Sequence, residues 1–429
     1  MNVRDFGAVG DGLSHPLSER YKTLSEGQAD YPHAESLDDE IDWAAIQAAI
    51  KVARAGRGGT VGFPRGTYIC SKALNLDNTQ NARLEGTGQE TVIKHSQVGP
   101  SFISARSSVH FSIRRLTIKS SSTSVVDLSR SASPTPMNRD GAAQALIGNC
   151  ALLDESGVGT LAAFISLDKA ISCTIRNNYF HGAQVAQVAI RGIDAGSDPP
   201  GYSNANLILN NTFQALTKGA ITNGGDGWLI QGNTFEPGAP LDKAGHEPAA
   251  AYVAYIGDPK GVTPPHNVSV IGNWFGDANE NGAWIHWWGR DLMVVGNFFE
   301  GGPAAVALGR LPGSSYAGVS IIGNYFQNPW PHEYMPTDFG QEDASGQADV
   351  VILGNRYDGM TTPIVGTFPT GTIYQTGVGT VGIGPGTSTG APKTGAHQLG
   401  ELYVDSAGVL WICTLNGTPG TWVKVGSQV

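Results

Sequence analysis

The 429-residue sequence predicts an all-β fold, a single-stranded right-handed parallel β-helix with an N-terminal capping helix and a small C-terminal β module. Three observations carry this expectation. An apolar run followed by Asn, any residue and an aromatic recurs seven times between residues 178 and 357. Glycine supplies 58 residues while charged residues make up only 15%, the balance of many short strands joined by tight turns rather than of long surface helices. One amphipathic helical segment stands before the repeats. The right hand is expected because parallel crossovers almost always turn that way.

The repeat copies are Asn178-Tyr179-Phe180, Asn211-Thr212-Phe213, Asn233-Thr234-Phe235, Asn273-Trp274-Phe275, Asn297-Phe298-Phe299, Asn324-Tyr325-Phe326 and Asn355-Arg356-Tyr357. Their spacings of 33, 22, 40, 24, 27 and 31 residues describe a coil of about 22 with loops of different length added. Asn tolerates a left-handed backbone and bonds backbone groups, so each copy predicts a corner, and stacked corners predict an Asn ladder. The aromatic two residues on points inward and stacks on its counterpart one strand spacing, about 4.8 Å, away. Neither periodic Leu nor a 3.6-residue period runs through the chain, which argues against leucine-rich and helical repeats.

From Asp38 to Ala55, the residues Ile41, Trp43, Ile46, Ile50 and Ala53 fall at roughly helical spacing, with acids before and Gly56 after. A solenoid exposes its core at its ends, so this helix is expected to be a plug without chemistry. Four scattered cysteines, Cys70, Cys150, Cys173 and Cys413, predict buried thiols rather than a disulfide framework. Cys150 and Cys173, 23 residues apart, are expected on neighbouring rungs. A net charge of −10 argues against nucleic acid and anionic membranes as partners. No apolar run is long enough to span a bilayer, and Met1-Asn2-Val3-Arg4-Asp5 lacks the apolar stretch of a secretory signal.

Three segments, Asp5-Phe6-Gly7-Ala8-Val9-Gly10-Asp11-Gly12, Trp43-Ala44-Ala45-Ile46-Gln47-Ala48-Ala49-Ile50 and Gly58-Gly59-Thr60-Val61-Gly62-Phe63-Pro64-Arg65-Gly66-Thr67-Tyr68, resemble the opening of pectate-lyase-superfamily proteins. The branch resembled includes phage tailspike depolymerases, polygalacturonase-related glycoside hydrolases and alginate epimerases. The resemblance covers about the first 95 residues, ending near Leu84-Glu85-Gly86-Thr87-Gly88, and an insertion between Gly12 and Leu37 departs from it. It implies an extracellular or virion-associated protein, a polysaccharide substrate and a homotrimer. Signature runs of pectate lyases, polygalacturonases and alginate epimerases are missing from the sequence, so the resemblance is specific for fold rather than reaction.

The chain accordingly divides into an N-terminal cap with the first coils (1–95), a β-helix body (96–376), a Gly/Thr/Pro-rich linker or cap (377–399) and a small β module (400–429). Within that module, Glu401–Asp405, Val409–Cys413 and Trp422–Val425 read as short strands, too few to bury a core alone. Packing on the solenoid or on partner chains is expected.

Chemistry is sought on the strand that precedes each Asn-bearing strand: Val188–Arg191, Ile221–Asn223, Tyr252–Ile256, Trp284–Trp288 and Ala305–Leu308. Four are followed by acids, Asp194, Asp226, Asp258 and Asp291, which would stack in a column at about 5 Å per rung. Such a column, with Glu280 and Asp277 in a nearby loop, could supply the paired carboxylates of glycoside hydrolysis, about 5 to 5.5 Å apart for retention or 6.5 to 9.5 Å for inversion. The competing reading makes each Asp a turn cap. Glu236 and Glu300 are read as turn acids. In Trp284-Ile285-His286-Trp287-Trp288, strand alternation places Trp284, His286 and Trp288 on one face, expected to be a sugar platform, with Tyr252 beside it and Arg191, Arg290 and Arg310 nearby. The alternative is that these Trp residues fill a wide core.

The function expected is degradation of an extracellular or capsular polysaccharide by a glycoside hydrolase. Its catalytic pair would come from Asp226, Asp258, Asp291 and Glu280, and Trp284, His286, Trp288, Tyr252, Arg290 and Arg310 would bind substrate. Alternatives are a polysaccharide lyase or glycosyl-transferring enzyme and a non-catalytic glycan-binding spike or adhesin. No cofactor is required, although an acid cluster could hold Ca²⁺.

Overall fold

A computed structural model describes residues 1–95, 97–133, 141–154, 161–182, 188–192, 203–216, 220–222, 225–236, 265–278, 283–287, 289–301, 304–308, 317–327, 337–339, 350–358, 364–366, 373–375, 381–383, 386–395, 397 and 399–426. The chain winds into a right-handed parallel β-helix. Each coil runs through a first sheet, turns a corner into a second and crosses to a third before climbing one rung. The first sheet has 13 strands, parallel except for the final pair between Ile373–Gln375 and Val381–Ile383. The second has 11, and the third side carries a six-stranded and then a four-stranded sheet.

Inside the second sheet the rings form one stack. Phe180, Phe213, Phe235, Phe275, Phe299, Phe326 and Tyr357 follow one another with centroids 4.6 to 5.3 Å apart and planes within 14° of parallel. That is the strand spacing, so the ladder of backbone hydrogen bonds sets the ring contacts. One corner earlier, Asn178, Asn211, Asn233, Asn273, Asn297, Asn324 and Asn355 form the expected ladder. Each of the first six donates its backbone N–H and a side-chain N–H to the next Asn Oδ1 at 2.8 to 3.0 Å.

The left-handed residue at this corner is the one before the ladder Asn. Asn149, Asn177 and Asn210 hold φ between 53° and 56°, then Gly232, Gly272, Gly296, Gly323 and Gly354 hold φ between 61° and 67°. Two tasks assigned to one Asn are therefore divided between neighbours. The outer residue makes the turn, and the buried one satisfies the backbone groups it exposes.

At the N-terminal end the helix Ile41–Ala55 closes the core, burying Ile41, Ala45, Ile46, Ala49, Ile50 and Ala53. Its buried Asp42 accepts from the backbone N–H groups of Val9, Gly10 and Ile69 at 2.6, 3.1 and 3.0 Å. One carboxylate thus ties the glycine-rich opening segment and the strand Gly66–Cys70 to the plug. Burial raises its pKa against the opposing pull of those three bonds. The insertion between Gly12 and Leu37 contributes the helix Leu24–Asp30, capped by the reciprocal pair Thr23 and Glu26. Beyond it, His33 packs on Trp43 at 5.2 Å, so the insertion adds a layer over the plug.

All four cysteines are free and buried. Cys150 and Cys173 do not stack. Cys150 occupies the ladder step below Asn178, whereas Cys173 donates its backbone N–H to Asn206 at another corner. Near the C-terminus, Leu402–Val404, Leu410–Leu415 and Thr421–Lys424 form an antiparallel sheet. Among the described residues no helix is long and apolar enough to cross a membrane.

Candidate functional site

The three sheets differ in what they turn outward. On the third, short strands bury two successive apolar residues, Val125 and Val126, Phe164 and Ile165, Ala189 and Ile190, and a polar residue follows, partly exposed at Asp127 and Arg191 and buried at Ser166. Register aligns those polar positions as Asn75, Ser104, Asp127, Ser166, Arg191 and Thr222 on successive rungs. Asp77 and Arg106 stand two residues beyond the first two.

These groups form a connected polar floor. Asp77 accepts from Ser104 Oγ at 2.6 Å and from the Arg106 backbone N–H at 2.9 Å. Its other oxygen takes Arg106 Nε at 3.0 Å and Nη2 at 2.7 Å. Asp127 lies 4.0 Å from Arg106 Nε and accepts from the Ser129 N–H at 3.0 Å. The Asp77 bonds raise the pKa of Arg106, so this guanidinium stays charged. Further along, Arg191 donates to Ser166 Oγ at 3.4 Å, and its Nε is buried without a hydrogen-bond partner. The column combines fixed charge with buried hydroxyls, and an ion-paired carboxylate such as Asp77 suits orientation better than proton donation.

The aromatic strand is Ala283–Trp287, with Ile285 opposite Val306 and Trp287 opposite Leu308. Trp284 is not a platform: it is 1% exposed and packs on Phe275 in the core at 5.4 Å. Alternation fails because this strand, like its neighbours on the third side, buries two successive residues, here Trp284 and Ile285. Trp287 is also buried. His286 pairs with Ala307 on the neighbouring strand, and its side chain lies outside the described residues. Trp288, Tyr252, Arg310, Asp258, Glu280 and Asp194 lie outside the described residues, and the Asp277 side chain does as well.

The expected acid column does not form from its described members. Asp226 aligns with His266, which aligns with Arg290, at the corner leading into the first sheet. Its carboxylate accepts from Asn267 Nδ2 at 2.7 Å. Asp291 sits one residue later, exposed, with φ at 59°, in a left-handed series that includes Ser172, Ala205, Gly227, Asn267 and Gly318. It is a corner residue there, a place Asx side chains tolerate. Arg290 is an exposed residue opening a first-sheet strand, away from the polar floor.

Asp77, Arg106 and Asp127 were not singled out from the sequence, because coils before residue 178 lack the Asn-x-aromatic marker. Among the described residues, no cluster of three or more His, Cys, Asp or Glu is placed to hold a metal. An open depression of about 500 Å³ lies elsewhere, at the corner between the first and second sheets, lined by Arg115, Asn149, Asn177, Tyr179, Asn210 and others.

No family model matches the sequence, and no curated protein matches it in sequence. Solved structures do resemble it. The A-module of a mannuronan C-5 epimerase from Azotobacter vinelandii superposes with a TM-score of 0.54 at 17% identity, over 87% of this chain and 99% of that one. A tailspike protein from a Pseudomonas phage gives 0.54 at 15%, over 89% and 81%. An alginate lyase from a Paenibacillus species gives 0.50 at 14%, over 68% and 96%. At such identities the likeness is one of architecture, and by architecture the chain is a right-handed parallel β-helix.

Proposed function

We propose that the chain is a polysaccharide-degrading enzyme, a glycoside hydrolase that draws an extracellular or capsular glycan along the third side of the solenoid. The observation that supports this reading is the polar row of Asp77, Arg106, Asp127, Ser166 and Arg191 on the third side, partly exposed at Arg106, Asp127 and Arg191. Proteins whose names record action on mannuronan and alginate share the architecture, which supports a glycan as the ligand. In this reading Asp258 and Glu280 are the acid and base, with Asp226 at the neighbouring corner as the reserve carboxylate. In the same reading His286 orients sugar hydroxyls.

One observation favours a second reading. The Arg191 guanidinium, which bonds the Ser166 hydroxyl while Arg106 is held by Asp77, would neutralise a uronate carboxylate, as lyase chemistry on a polyuronate requires. Incubation with a panel of neutral and uronate polysaccharides separates the two. New reducing ends without ultraviolet-absorbing unsaturated product mean hydrolysis, and both signals together mean lyase chemistry. Asp258→Asn and Glu280→Gln should each abolish turnover while leaving the circular dichroism spectrum unchanged; activity retained in both removes this pair from the mechanism.

Location on a virion or outside the cell and assembly as a homotrimer complete the proposal. Support for assembly comes from exposed aliphatic surface. The first sheet turns out Leu207, Leu229 and Met293 in one column and Ile271, Val295 and Ile322 in the next. In the C-terminal sheet Leu402, Ile412 and Val423 share one face, with Leu402 48% and Val423 51% exposed. Sedimentation equilibrium should give three chains, and Leu402→Ser with Val423→Ser should shift the mass toward one.

A further inference from the structure

The outward face of the second sheet carries a different chemistry from either neighbour. On successive rungs Thr234, Trp274, Phe298, Tyr325 and Arg356 align on one column. Trp274 lies flat on the sheet, its indole over Gly276, where a Cβ would collide with the ring. The Phe298 and Tyr325 centroids are 5.0 Å apart, and the Arg356 guanidinium covers Tyr325 at 5.0 Å. Tyr325 is held by its hydroxyl, which donates to Asp358 at 2.8 Å.

Two features make this row of rings accessible and selective. Beside it runs the corner of left-handed glycines, and at Gly272, Gly296 and Gly323 a Cβ would meet nothing within 4 Å, so the rings are open along that edge. On the other edge, two residues along each strand, stand acceptors: Gln214 beside Glu236, joined at 3.2 Å, and Glu300, Gln327 and Asp358 on later rungs. Rings flanked by carboxylates and amides fit the apolar faces and hydroxyl edges of sugars, while the acids repel a polyanion. The row begins beside the 500 Å³ depression, which shares Tyr179 and Thr212 with the same outward column.

We propose that this face is a second glycan-binding surface, separate from the polar third side, that holds a neutral polysaccharide along the solenoid axis through Trp274 and Phe298, with Tyr325 and its Arg356 cover closing the row. The inference rests on the reading of the chain as a glycan-active protein and adds where, and what class of, polymer is held away from the reacting groups. It gives the enzyme a grip on long chains that short oligosaccharides do not need.

Affinity electrophoresis of the full chain in gels cast with dextran, galactomannan, mixed-linkage β-glucan or alginate tests it. Retardation is expected in at least one neutral gel and not in alginate. In that gel Trp274→Ala with Phe298→Ala should weaken binding by about tenfold, the size expected for losing aromatic contacts. The same variant should melt as the parent does, since both rings sit outside the core. Retardation unchanged by the double substitution overturns the second surface and leaves the third-side reading standing. Retardation that the substitution removes, in a protein that cleaves nothing, upholds the surface and overturns the enzyme reading. No retardation in any neutral gel overturns the surface whether or not cleavage is seen.

Discussion

Replacing Asn273 by Ala removes more than one hydrogen bond from the middle of the ladder. Its Oδ1 accepts from the backbone N–H and the side chain of Asn233 at 2.8 and 3.0 Å. Its Nδ2 donates to the Ile230 carbonyl at 3.0 Å and to Asn297 Oδ1 at 2.9 Å. Asn273 is 2% exposed, so no water takes these places: the buried Asn233 N–H loses its acceptor and the Ile230 carbonyl loses its side-chain donor. At about 1–3 kcal/mol for each of these two groups, the expected cost is about 2–6 kcal/mol. The control is Asn177, the exposed residue at a left-handed corner, with φ at 55°. Asn177→Gly keeps that backbone conformation available and should cost less than about 1 kcal/mol. Guanidinium denaturation followed by tryptophan fluorescence, with hydrogen exchange at the Asn233 amide, reads both effects. A cost below about 1 kcal/mol for Asn273→Ala, or equal costs for the two variants, would refute the division of labour at the corner.

His95 is buried, stacked on Phe102 at 4.6 Å, and bonded to Ser122 Oγ at 3.0 Å; burial lowers its pKa to about 4. The unfolded chain, with its His near 6.5, takes the proton first as pH falls. Stability is therefore complete above pH 6.5 and declines as pH falls toward 4, by about 3 kcal/mol. His95→Phe should flatten that part of the pH profile, measured as the difference between parent and variant unfolding free energies. Trp284→Ala empties a core site and should cost about 3–5 kcal/mol by the same denaturation assay; normal stability with weakened glycan binding would return Trp284 to the surface. Arg106→Ala leaves Asp77 buried without its partner and should cost about 2–3 kcal/mol in thermal melts, more than Asp77→Asn and Arg106→Ala together once the charge is gone.

The architecture was legible where one residue type has one physical use. A buried Asn that must satisfy corner backbone and a ring that must stack at the strand spacing leave little freedom, and Asn178 to Tyr357 could be traced by eye. Earlier coils use Cys150 at the ladder step and Leu152 at the ring step, so their sequence carries no marker, and the Asp77, Arg106 and Asp127 cluster escaped with them. Trp284 was misassigned because strict alternation does not hold on a strand that turns two successive residues into the core. The described members of the acid column, Asp226 and Asp291, fall out of line for a related reason. Counting from the end of a strand does not fix the rung position of a corner residue, and a single residue of offset separates Asp291 from the row of Asp226.

The ladder spacings, from 22 to 40 residues, return to the same corner with the same bonds. Each rung is thus indexed by a few contacts and is indifferent to the length of chain spent between them. A lengthened or exchanged loop leaves its neighbours in register, as in other one-dimensional repeats. The scaffold works as a rack of independent slots, in which a lineage can replace one loop and change what the surface presents without retuning the core.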